Sequence, residues 1–142
     1  MPLIWIHDYH LMLAATTIRS LAEERQIPCK LGFFLHIPFP SWDIIRIFPW
    51  HDLVLQGILG CDLVSFQVSD YSTNFLESCG RALGCRLDRQ AGLVEHAGRT
   101  VRVRALPISI PFQTFSQLAL QAPQSGWTDL QAGLEYLFTG FS

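Results

Sequence analysis

The segment "LGFFLHIPFP", residues 31–40, decides the fold class of this chain. Its apolar residues follow one another without the alternating polar positions of a surface strand. That pattern is typical of a strand that is buried on both faces of a parallel sheet. Pro38 and Pro40 end the run, because proline has no N–H group to donate to a neighbouring strand. We therefore expect a central strand over residues 31–37.

Strands and helices alternate on both sides of this segment. Further strands are predicted at residues 3–6, 63–66 and 100–108, and a hairpin at residues 86–96. Helices are predicted at residues 9–25, from Ser41 to Phe48, and at 51–59, 70–83 and 112–119. Such alternation forms right-handed βαβ units. The sequence therefore predicts an α/β fold with a Rossmann-like parallel sheet, and an incomplete one, because this layer needs more strands than the chain supplies.

Composition excludes several classes of protein. The 142 residues are 49% hydrophobic and only 15% charged, which favours one folded domain over a disordered chain. The net charge of −2 gives no sign of a nucleic-acid surface, and no apolar run approaches the roughly 18 residues that cross a bilayer. The four cysteines lack paired C-x-x-C spacing, and no glycine-rich nucleotide loop is present. We expect a cytoplasmic protein with reduced thiols, no metal and no bound cofactor.

Polar residues follow the predicted strands where a ligand site would lie. In open α/β sheets, ligands bind beyond the carboxyl ends of the strands. Residues 7–10, "HDYH", follow the first strand, His36 lies in the second, and Gln67 follows the third. A carboxylate, imidazoles and an amide that converge at one edge could bind the hydroxyl groups of a sugar or another small polar ligand.

Each of these residues also has a structural interpretation. Asp8 could cap the helix that is predicted from Tyr9, and His7 and His10 favour structural roles. His36 is different, because burying an unpartnered imidazole in an apolar strand would cost roughly 1–3 kcal/mol. We therefore expect His36 to face a polar partner or a cavity.

The remaining charged residues are interpreted as structural. Asp62 and Asp70 are expected to cap the elements that they precede. Arg99, Arg102 and Arg104 alternate with valines, as on the exposed face of a strand.

Four stretches of the chain together closely resemble the trehalose-6-phosphate synthase family, glycosyltransferase family 20. They are "WIHDYHLML" (5–13), "GFFLHIPFPSWDIIRIFPW" (32–50), "LQGILGCDLVSFQVSDYSTNFLESC" (55–79) and "GRTVRVRALPISI" (98–110). Residues 83–108 are most similar to the animal, particularly invertebrate, members. The family consists of retaining glucosyltransferases of the two-domain GT-B type. The resemblance implies that residues 1–118 are part of the N-terminal GT-B domain and that residues 119–142 are a divergent tail outside its core.

The resemblance implies transfer of glucose from UDP-glucose to glucose 6-phosphate, with α,α-trehalose 6-phosphate and UDP as products. It places His36 at the junction of donor and acceptor, as the catalytic residue. It assigns Asp8 to binding of the acceptor, Ile37 to the pocket that selects the acceptor's α-anomer, and Gln67 to a further acceptor contact. The departing diphosphate would assist deprotonation of the attacking hydroxyl, so that catalysis depends on positioning and charge stabilisation.

Departures from the family pattern shape the remaining expectations. Ser65 and Ser109 occupy positions where the family usually has glycine. Because glycine permits backbone conformations that serine does not, the local backbone at these positions could differ from that of the family. In the family, residues that precede the equivalent of Leu3 hold the acceptor, and residues of the second domain hold the diphosphate. Neither set has a counterpart here. We therefore expect a segment of the enzyme with negligible turnover alone. The alternative is a truncated, non-catalytic protein that binds sugar phosphate or associates with the full-length enzyme.

Overall fold

The computed structural model describes residues 1–108, together with Gln113, Ser116 and Gln117. Residues Met1–Ile108 form one compact unit. The predictions for the domain boundary at residue 118, for the tail over 119–142 and for Ser109 lie outside the described residues. Of the helix predicted over residues 112–119, only the three residues named above are described, and these three are helical.

The described part of the chain contains six strands and four α-helices. The strands are β1 (Leu3–His7), β2 (Lys30–Leu35), β3 (Leu63–Phe66), β4 (Arg86–Asp88), β5 (Leu93–His96) and β6 (Arg99–Ala105). The helices are α1 (Ala14–Glu24), α2 (Trp42–Ile45), α3 (His51–Ile58) and α4 (Ser69–Leu83). None of these helices is long and apolar enough to cross a membrane.

The six strands form one sheet in the order β1-β2-β3-β6-β5-β4. Strands β1, β2, β3 and β6 are parallel, and β4 and β5 form an antiparallel hairpin that pairs with β6. The parallel sheet and the hairpin are both confirmed. Because β1, β2 and β3 run in the same direction, their carboxyl ends lie along one edge of the sheet.

Two predicted boundaries next to the candidate residues are wrong. The first helix begins at Ala14 rather than Tyr9, because Tyr9–Leu11 form a separate 3₁₀ turn. The second strand ends at Leu35 rather than residue 37, so His36 follows the strand and is exposed. Its backbone N–H donates to the side chain of Asp8 instead of continuing the strand ladder.

The two faces of the sheet differ in what covers them. Leu31, Phe33 and Leu35 of β2 are almost fully buried in the main hydrophobic core. Phe34 is also 98% buried, but it points to the opposite face and does not join that core. On the face to which Phe34 points, Trp5 of β1 lies against Gly32 of β2. A larger side chain at residue 32 would clash with the indole ring.

Asp62 is not a cap, which corrects the sequence-based interpretation. Its carboxylate accepts hydrogen bonds from Arg19 at 2.7 Å, from Arg99 at 2.9 Å and from the Leu31 N–H at 2.8 Å. Partial burial raises the pKa of Asp62, but the Leu31 N–H, Arg19 and Lys30 outweigh that effect and hold the pKa below its usual value. This cluster joins α1 to β2 and β6 at the edge opposite the candidate site.

Two related predictions are also wrong. Arg99 is half-buried against Asp62, whereas Arg102 and Arg104 lie on the exposed face as expected. Asp70 lies within the first turn of α4 and does not cap it, because the residue at the cap position is Val68.

Candidate functional site

The candidate residues lie at the carboxyl edge of the parallel strands. In the register of the sheet, His7 of β1 lies beside Phe34 of β2, and Leu35 of β2 lies beside Phe66 of β3. Asp8, His36 and Gln67 each follow directly after one of these three strands. The predicted convergence of three strand ends is therefore confirmed, and this is the edge at which open α/β sheets bind ligands.

Asp8 has an unusual backbone conformation. Its φ is 67° and its ψ is 169°, a region that is occupied almost only by glycine and that costs another residue about 1–3 kcal/mol. The surrounding chain holds this conformation: the Asp8 N–H donates to the Phe34 carbonyl at 2.9 Å, and the Asp8 carbonyl accepts from the Leu11 N–H at 3.3 Å. Strain of this kind is concentrated at functional sites.

The side chain of Asp8 does not cap the following turn, so the capping interpretation is wrong. Instead, Oδ1 of Asp8 accepts a hydrogen bond from the backbone N–H of His36 at 3.3 Å. The structure therefore brings together the two residues that the sequence singled out, although they lie 28 positions apart. The carboxylate keeps capacity to accept hydrogen bonds from a ligand's hydroxyl groups.

The imidazole of His36 meets a polar partner, as expected, and that partner is His7. Nδ1 of His7 lies 3.0 Å from Nε2 of His36, and the two rings stack with centroids 5.2 Å apart. The ring of Phe34 lies on the same face, with its centroid 4.6 Å from that of His36. The sequence favoured a structural role for His7 and did not predict its contact with His36; its place directly before Asp8 at a strand end was the available signal.

Ile37 and Gln67 are placed differently. The Ile37 side chain is 43% exposed and lines a groove of about 540 Å³ on the helix-covered side of the sheet. Nε2 of Gln67 donates to the carbonyl of Ile108 at 2.7 Å, which ties this amide to the segment after β6. In the described part of the chain, neither side chain makes a hydrogen bond to Asp8 or His36.

The groove and the polar edge are lined by different residues, although Tyr9 and Ile37 of the groove directly follow Asp8 and His36 in the sequence. The groove runs between the segment 9–14, the loop 37–40 and helices α2 and α3, and its walls are mostly apolar. Asp8, His36 and Gln67 are not among the residues that line it. A sugar phosphate needs hydrogen-bonding partners for its hydroxyl groups, so the polar edge is the better candidate for a sugar site.

Two further observations concern the expectations for this region. Ser65 is fully buried and its hydroxyl donates to the Phe33 carbonyl at 3.0 Å, so the strand accommodates a side chain where the family usually has glycine. Among residues 1–108 no group of three or more His, Cys, Asp or Glu side chains is placed to hold a metal ion.

Comparison with known proteins gives a consistent result. The model of Glycosyltransferase family 20 matches residues 2–132. A probable alpha,alpha-trehalose-phosphate synthase [UDP-forming] of Arabidopsis thaliana is 46% identical over 109 residues, 75% of this chain and 12% of the relative. The 56 kDa subunit of the Saccharomyces cerevisiae enzyme of that name is 45% identical over 115 residues, 80% of this chain and 23% of the relative. The chain thus spans less than a quarter of the length of these curated relatives.

Solved structures agree with the sequence relatives. The structure of a UDP-forming alpha,alpha-trehalose-phosphate synthase from Burkholderia xenovorans in complex with glucose-6-phosphate superposes with a TM-score of 0.75 at 30% identity. The match covers 84% of this chain and 26% of that one. The predicted fold class is confirmed: the Rossmann-like sheet corresponds to part of the N-terminal domain of the GT-B enzymes. The chain belongs to glycosyltransferase family 20.

Proposed function

We propose that this chain supplies the acceptor side of a site that transfers glucose from UDP-glucose to glucose 6-phosphate, with α,α-trehalose 6-phosphate and UDP as products. The observation that carries this proposal is the strained Asp8, whose carboxylate holds the backbone of His36 at the ligand-binding edge of the sheet. The glucose-6-phosphate complex of the Burkholderia xenovorans relative supports the choice of acceptor.

Each candidate residue has a specific role in this proposal. Asp8 accepts hydrogen bonds from hydroxyl groups of glucose 6-phosphate, because one carboxylate accepts several donors. His36 lies between acceptor and donor and contacts the glucose that is transferred. Ile37 shapes the acceptor pocket for the α-anomer. Gln67 keeps its Oε1 for the acceptor, since its Nε2 is bound to Ile108.

A chimeric enzyme tests this function in a complete protein. Residues 2–108 replace the matching segment of the Saccharomyces cerevisiae 56 kDa subunit, and UDP release is measured with both substrates. We expect Asp8→Asn to lower kcat/KM about 10- to 100-fold, as for loss of a charge-assisted hydrogen bond of about 1.5–3 kcal/mol. Asp43→Asn is the matched control, because the side chain of Asp43 is 86% exposed in α2.

Two results would refute the proposal. One is an unmodified chimera that releases no more UDP with both substrates than with UDP-glucose alone. The other is an Asp8→Asn chimera that keeps the activity of the Asp43→Asn control.

A further inference from the structure

We propose that His7 is a positioning residue for His36, and that it leaves Nδ1 of His36 as the ring nitrogen that faces a ligand. This inference rests on the proposed function, because it assigns a second residue to the same site. The contact that carries it is the 3.0 Å approach of His7 Nδ1 to His36 Nε2.

The register of the sheet explains how His7 reaches His36. His7 is the last residue of β1 and lies beside Phe34 of β2, so both side chains point to the same face of the sheet. His36 follows Phe34 by two residues, and its ring packs against the rings of both. The positive φ of Asp8 lies one residue beyond β1, where the Asp8 carboxylate reaches the backbone of His36. As a result, Asp8 holds the backbone N–H of His36 while His7 contacts its ring. Two successive residues, His7 and Asp8, therefore hold the ring and the backbone of His36.

The contact also couples the tautomers of the two rings. Two imidazole nitrogens form a hydrogen bond only if one of them carries a proton, so the tautomer of one neutral ring dictates that of the other. Because Nε2 of His36 faces His7, its Nδ1 is the remaining hydrogen-bonding atom. Within residues 1–108, no hydrogen-bond partner contacts that Nδ1.

Packing restricts the His36 ring further. The buried ring of Phe34 lies 4.6 Å from it, centroid to centroid, while His7 stacks at an interplanar angle of 22°. Both histidines are exposed, so water competes for their hydrogen bond. We therefore expect a moderate effect from its removal.

Spectroscopy of the full 142-residue chain tests the positioning directly. Long-range ¹H–¹⁵N correlation spectra report which ring nitrogen of each histidine carries a proton. His7→Phe keeps an aromatic ring but removes the hydrogen bond, and we expect it to shift the His36 ring nitrogens. His7→Asn keeps a polar group near the position of Nδ1, and we expect a smaller shift. His96→Phe, in β5 three strands from β2, should cause none.

Kinetics in the chimeric enzyme test the consequence for the reaction. We expect His7→Phe to lower kcat about 3- to 10-fold, as for one neutral hydrogen bond, and His7→Asn to recover most of that loss. The KM for glucose 6-phosphate should stay within about twofold, because the Asp8 carboxylate binds the backbone of His36 and not its ring.

The outcomes separate this inference from the proposed function. Unchanged His36 resonances in His7→Phe would overturn the positioning role, whatever the activity. An unchanged kcat in His7→Phe, with the kcat/KM of Asp8→Asn lowered as expected, would also overturn it and leave the proposed function intact. Full activity of Asp8→Asn would instead refute the proposed function itself.

Discussion

Replacement of Asp8 separates the cost of its backbone conformation from the contribution of its carboxylate. Asp8→Gly and Asp8→Ala both remove the group that accepts the His36 N–H. Only glycine adopts φ 67° and ψ 169° without a steric penalty. The relief of about 1–3 kcal/mol of strain, less the roughly 0.5–1 kcal/mol that glycine loses in chain entropy, should make Asp8→Gly more stable than Asp8→Ala by about 1 kcal/mol.

Urea and thermal denaturation of the full chain, followed by circular dichroism, measure this difference. For a domain of this size, 1 kcal/mol corresponds to a difference in Tm of about 3–5 °C. The same pair of substitutions at Asp43 in helix α2 is the control. There the order should reverse, because alanine favours a helix over glycine by about 1 kcal/mol.

The difference in stability between the glycine and alanine variants should therefore have opposite signs at positions 8 and 43. An Asp8→Ala chain as stable as Asp8→Gly would show that residue 8 does not have a positive φ, and the argument from strain would fail. Under the proposed function, both Asp8 variants also lose affinity for glucose 6-phosphate, so the greater stability of Asp8→Gly is not accompanied by tighter binding.

Three further predictions concern the fold. Asp62→Asn should lower the free energy of unfolding by about 2 kcal/mol, because Arg19 and Arg99 lose their carboxylate partner; denaturation in urea measures it, and an unchanged midpoint would contradict it. The pKa of Asp62 is lower in the folded chain than its ordinary value of 3.8. The stabilisation by its carboxylate is therefore complete above pH 3.8 and is lost as the pH falls through the pKa of the folded state, so Asp62→Asn and the unmodified chain should converge in stability on acidification. Gly57→Ala should destabilise the chain by about 1–3 kcal/mol despite alanine's helix propensity, because its Cβ would lie 2.6 Å from the carbonyl oxygen of Met12; a raised Tm would refute this. Burial raises the pKa of Cys61 to about 12, so this thiol should react with iodoacetamide at pH 8 only after unfolding, and mass spectrometry of the folded chain would reveal any exception.

Local sequence patterns predicted the strands and the edge where the site lies. The apolar run of β2 and the helical spacing in α3 and α4 depend on neighbouring residues alone, and the predicted ends of these three elements are correct within two residues. The same patterns could not predict the φ of Asp8, because aspartate gives no sign of a conformation that belongs to glycine. They also could not predict the partners of Asp62, since Leu31, Arg99 and Arg19 lie 31, 37 and 43 positions away.

The geometry of the candidate site was predicted in part. The sequence placed Asp8 and His36 at one edge of the sheet, and the structure joins them by a hydrogen bond. It did not predict the contact of His7 with His36, because that contact depends on the register that places His7 beside Phe34, two residues before His36. The register joins two segments that are distant in the sequence, and the pattern of neither segment alone specifies it.

The side chains on the two faces of β2 differ in how their substitution affects the main core. Phe33 and Leu35 point into the main core, whereas Phe34 and the rings of His7 and His36 pack on the other face. A substitution among these histidines therefore leaves the contacts of the main core in place. The sheet thus separates the side chains of the main core from the two histidines of the candidate site, so residues 7 and 36 can change with little loss of stability.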